Sequence, residues 1–212
     1  MDKVNDLRNL HSVGVALLVT GVIFMVGAFS AAYFRQWPLP STPLQKLTLI
    51  ANDRVGWTTQ AILFPAAFLA TTVLFGVMAT NLPGPGPRWL AIGGTVLAAA
   101  ACLLWLPITL ERLQLGTNAA ALIRTFDPSA PPEVMVKARW AFWPHTLCLL
   151  AAIALMGAAL ATAGALPTLG WIVTALAVGG AVIGLLIMRD WPPFMSYIIL
   201  LVLAIGLMRL TP

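Results

Sequence analysis

Apolar residues in this chain run in long blocks separated by short polar or proline-rich breaks, with no sustained alternation between the two kinds. Six blocks stand out, at about residues 12–34, 55–80, 89–110, 138–163, 168–188 and 193–208. They have the length and composition of helices, and about 20 apolar residues suffice to cross a hydrocarbon core roughly 30 Å thick. None reads as the ten-residue alternation of a membrane barrel strand, and only helices and closed barrels satisfy their own backbone polar groups in lipid. The pattern predicts an all-α polytopic membrane protein. The expected architecture is a six-helix transmembrane bundle, with residues 1–212 as a single integral membrane domain.

The breaks add detail. Ser41-Thr42-Pro43 offers an N-cap followed by proline, and Leu44, Leu47, Ile50 and Ala51 recur at helical spacing. A short amphipathic helix lying in the interface is expected there, within residues 41–52. After the third block, Thr117 or Asn118 is read as the cap of a brief helical turn, and residues 127–132 break the chain before the fourth. The remaining links are short and place consecutive helices antiparallel. Pro65, Pro107 and Pro144 lie inside blocks and predict kinks, because proline removes a ladder hydrogen bond. The first block is longer than a signal-peptide core and follows a mixed-charge start (Asp2, Lys3, Asp6, Arg8), so it reads as a retained helix. No internal repeat relates the two halves, which argues against an inverted-repeat carrier.

Composition sharpens the class. The chain is 60% hydrophobic and 9% charged, with a mean hydropathy of +0.92. Soluble domains are roughly 25% charged, so the composition argues against a soluble enzyme, a secreted disulfide scaffold and a nucleic-acid-binding domain. The net charge of +5 is scattered between apolar blocks and reads as topology and headgroup contact. Six spans put both ends on one face, here the terminal side, with Lys3, Arg8, Arg88 and Arg209. The opposite loop side carries Arg35, Lys46, Arg54, Arg112, Arg124, Lys137, Arg139 and Arg189. Under the positive-inside rule the loop side is cytoplasmic.

Candidate chemistry is sparse. His11 and His145 fall near opposite faces and cannot be the two axial ligands of one haem, and Cys102 and Cys148 lack a CxxC partner. No cofactor and no metal site is expected. No catalytic residue is assigned either, since no nucleophile triad, HExxH or paired intramembrane carboxylate is present. The ionisable residues gather on the loop side. Arg54, Trp57 and Gln60 open the second block, Glu111 closes the third, and Arg139, Trp143 and His145 open the fourth. These seven are the candidate ligand-binding residues. They would form a polar pocket walled by Trp57 and Trp143 that takes a membrane lipid or amphipathic small molecule, headgroup toward the loop side. An intramembrane ionisable side chain favours that reading. The competing reading has His145 bonded to a neighbouring helix, Glu111 paired with Arg112 in solvent, and the tryptophans forming an aromatic belt. A third has Gln60, Glu111, Arg139 and His145 serving a small membrane enzyme or carrier. Gly180 and Gly184 form a small-residue pair that permits close helix approach, either within the chain or to a second copy or a membrane-complex partner.

The long first connection leading into Asn52-Asp53-Arg54-Val55-Gly56-Trp57, and the fifth helix opening Leu166-Pro167-Thr168-Leu169-Gly170-Trp171, accompany the six spans. In these features the chain resembles a large group of uncharacterised bacterial membrane proteins, grouped as a domain of unknown function. The resemblance implies a multi-pass bundle in the inner (plasma) membrane. It carries over no catalytic residue and no substrate.

Overall fold

The computed structural model describes residues 3–32, 35, 40–130 and 138–210. Among them the chain is all-helical, with no strand. The helices are α1 (Lys3–Ser30), α2 (Pro43–Asn52), α3 (Arg54–Asn81), α4 (Pro85–Arg124), α5 (Arg139–Thr162), α6 (Pro167–Ile183) and α7 (Pro193–Met208). A wider π-helical turn, Gly184–Met188, continues α6. Five helices are long and apolar enough to cross a bilayer, while α7 is apolar but only 16 residues long. The protein is a membrane helical bundle.

Chain neighbours are spatial neighbours. α1 packs on α3, α3 on α4, α4 on α5, α5 on α6 and α6 on α7, and α7 returns against α1 to close a ring. α5 also touches α7. It is the central helix, with 61% of its apolar window buried against 22 to 39% for the other long helices. Its small residues make that position possible. A side chain at Gly157 would come within 2.7 Å of the Gly170 carbonyl on α6, so the two backbones touch there.

Pro65, Pro107 and Pro144 all lie within continuous helices. Thr42 caps α2 through a reciprocal capping box with Gln45, and Pro43 takes the first helical position. Two features correct the expectations for the connections. Thr117 and Asn118 do not cap a separate turn but sit inside α4, where the Thr117 hydroxyl bonds back to the Leu113 and Gln114 carbonyls. α4 is therefore 40 residues long, roughly 60 Å at 1.5 Å per residue, twice the hydrocarbon thickness. The second correction explains the first. Leu47 and Ile50 of α2 are buried in a small apolar cluster with Trp57, Leu115 and Ala119, so α2 packs on the extension of α4 and holds it helical.

The expected small-residue pair also has a partner inside the chain. The indole of Trp191, from the α6–α7 turn, covers Gly180 and Gly184, and Cβ atoms placed there would meet it at 2.6 and 3.2 Å.

Candidate functional site

On the loop side, α1, α3 and α4 meet around one guanidinium. Arg112 is 5% exposed, with its guanidinium carbon 4.8 Å from the centre of the Trp57 ring and 5.9 Å from that of Phe64. Facing an aromatic ring in a desolvated setting favours a cation by about 2 kcal/mol or more. Gln60 completes the group: its Oε1 accepts from Arg112, and its Nε2 donates to the Ala28 carbonyl of α1 at 3.2 Å. Trp57 Nε1 donates to the Arg112 carbonyl at 2.8 Å. Asp53 accepts the Ala32 amide, and the Ser30 hydroxyl lies 3.0 Å from the Gly56 carbonyl. Together these contacts tie the end of α1 to the start of α3.

Trp57 and Gln60 are thus brought together, with Arg112 as their centre. Arg112 is not among the seven candidates expected from the sequence, where it enters only as a solvent partner of Glu111 in the competing reading. Arg112 falls with Trp105, Ile108, Leu115 and Ala119 on the buried stripe of α4, a register that the apolar pattern by itself does not single out from the one through Glu111.

The other candidate residues go elsewhere. His145 is 1% exposed and lies deeper, with Nδ1 2.7 Å from the Ala101 carbonyl; because a carbonyl only accepts, Nδ1 carries the proton. Its ring packs edge-on to Phe68 and against Trp105, each at 4.5 Å between ring centres. That aromatic group continues through Phe64 and Phe24 to Tyr197, whose hydroxyl meets Thr71 at 3.2 Å. Glu111 is half-buried, and its Oε2 accepts the Ala138 amide at 3.0 Å, capping the start of α5. Arg54 and Arg139 are exposed. Trp143 packs against Phe142 and reaches toward Gly184, with no described stacking against Arg139. Of the seven, the described contacts bring together Trp57 and Gln60. The packing draws Glu111, Trp143 and His145 to contacts of their own and leaves Arg54 and Arg139 exposed.

Among the described residues, the buried Trp105 Nε1 and Thr109 Oγ1 on the same stripe of α4 have no hydrogen-bond partner. Among the described residues no three His, Cys, Asp or Glu side chains come together.

A cleft opens at the opposite end of the bundle. The cleft, of about 950 Å³, lies on the terminal side, between the start of α1 (Leu10), the α3–α4 turn and the α5–α6 turn. Leu82 and Ile92 contribute apolar wall, and Ala163, Gly164 and Ala165 line the α5–α6 side. Arg88 and Trp89 stand at its rim; both are exposed, Trp89 by 71%. An amide hydrogen bond from Asn9 to Asn81 at 2.8 Å ties α1 to α3 beside it. This site was not singled out from the sequence, where the Pro-Gly run of residues 83–87 reads simply as a tight link.

Compared with known proteins, the chain matches no family model, and no curated protein and no solved structure shows significant similarity to it.

Proposed function

We propose that the protein is a non-enzymatic membrane bundle that holds an amphipathic molecule in the terminal-side cleft. The observation that carries this reading is the cleft itself. Its volume of about 950 Å³ lies at the upper end of the roughly 300–1,000 Å³ found for ligand sites, and it combines apolar walls with a charged rim at one end of the bundle. The loop-side residues support it from the other direction. Trp57, Gln60, Glu111 and His145 each hold a contact that joins two helices, a structural assignment for side chains that a polar substrate would otherwise need. The bacterial inner membrane implied by the family resemblance belongs to the same proposal, and membrane fractionation of the native host tests it.

The test of the ligand is native mass spectrometry of the full chain extracted in mild detergent. A stoichiometric amphiphile should survive extraction, and Ile92→Trp, which fills the cleft from α4, should release it without unfolding the bundle. Wild-type protein that carries no amphiphile overturns the reading.

A further inference from the structure

We infer that the cleft selects a phospholipid with a net negative headgroup, drawn from the leaflet on the terminal side, and that Arg88 receives its charge. This rests on the amphiphile-binding reading above.

Charge complementarity makes the case. Arg88 is the one basic residue among the described lining of the cleft, and no carboxylate is there with it. Its guanidinium has no hydrogen bond or ion pair to any described residue. It therefore offers five donors in a planar fork suited to phosphate oxygens. The neighbouring polar groups are already engaged: Thr80 Oγ1 and Asn81 Nδ2 both donate to the Val77 carbonyl, and Asn81 Oδ1 accepts from Asn9. Pro85 and Pro87 have no N–H, and the Arg88 amide turns back to the Gly84 carbonyl at 3.4 Å. Among the described lining, Arg88 is thus the side chain that offers an anion a positive charge. A zwitterionic headgroup would bring an ammonium with no described carboxylate to meet it.

The surroundings specify a lipid over a free anion. Trp89 follows Arg88 in the first turns of α4 and is 71% exposed, as suits a tryptophan settling between headgroups and acyl chains. Leu10, Leu82 and Ile92 then line the side on which the upper acyl chain would lie.

The experiment uses the full chain in nanodiscs of equal parts phosphatidylglycerol and phosphatidylcholine, with retained lipid read by native mass spectrometry. Phosphatidylglycerol should be enriched about fivefold over phosphatidylcholine, the effect of one basic residue near a lipid surface. Arg88→Gln should abolish the enrichment while lipid is still retained, Arg88→Lys should keep most of it, and Ile92→Trp should remove both lipids. Equal retention of the two lipids by wild type, or enrichment unchanged in Arg88→Gln, overturns the headgroup assignment and leaves amphiphile binding standing. No retained lipid overturns both. Displacement of the lipid by millimolar glycerol 3-phosphate would make a free anion the occupant and overturn the lipid assignment.

Discussion

Arg112 and Trp57 hold each other twice: the guanidinium lies 4.8 Å over the indole, and the indole N–H donates to the Arg112 carbonyl at 2.8 Å. The pair joins α3 to α4 where α2 packs down, and Gln60 extends the contact to α1. A charge is thereby kept inside a membrane bundle, a position that is costly unless it is solvated by fixed partners.

Gln60→Leu should consequently destabilise the protein more than Trp57→Phe. The first removes an acceptor from a charged donor, a bond of about 1.5–3 kcal/mol, and also frees the Ala28 carbonyl. The second removes one neutral hydrogen bond of about 1 kcal/mol and keeps an aromatic face under the cation. Unfolding midpoints in a common detergent should rank wild type, Trp57→Phe, Gln60→Leu in falling order. A reversed order would mean that the carboxamide does not support Arg112.

Trp191 and Gly180 form a knob and hole within one chain. Trp191→Ala should cost about 3–5 kcal/mol through the cavity it leaves, and Gly180→Ala about 1–3 kcal/mol by overpacking against the indole. Once the indole is gone the added methyl has room, so the double variant should lose clearly less than the sum. Additive losses, or a Gly180→Ala change seen only in the oligomeric state, would place this face against another chain.

Thr109 is 8% exposed, and its hydroxyl has no partner. Thr109→Val keeps the shape and removes a desolvated polar group, which costs about 1–3 kcal/mol when left unbonded. The variant should unfold at a higher temperature than wild type. A lower midpoint would show that the hydroxyl is bonded in the protein, for instance to an internal water.

Glu111 acts on α5 through the Ala138 amide. A carboxylate at a helix start satisfies an orphan donor and meets the positive end of the helix dipole, together worth about 1 kcal/mol. Glu111→Ala should therefore speed amide exchange over residues 138–142, with Glu111→Gln intermediate and the far end of α5 unchanged. Uniform exchange across the three proteins would remove the capping role.

The number of the apolar helices and, α4 apart, their approximate extent were legible in the sequence, and so was the start of α2. The reason is local. In lipid each helix must close its own backbone hydrogen bonds, so a sufficiently long apolar block has little choice of structure, and the Thr42–Gln45 capping box is complete within four residues. Which face of each helix turns inward was decided by tertiary structure alone. Helices that are apolar all round present lipid and core with the same residue types, so Glu111 and Arg112, about 100° apart on α4, could not be told apart by pattern. Packing assigned Arg112 to the buried stripe with Trp57 and left Glu111 at the edge, facing the start of α5. The same holds for the last turns of α4, where propensity is ambiguous and the burial of Leu47 and Ile50 beside Leu115 and Ala119 keeps the chain helical. It holds too for Gly180, whose open face accepts Trp191 because the turn after α6 folds back over it. The cleft exists only where three segments far apart in the chain meet, and no window of sequence contains it.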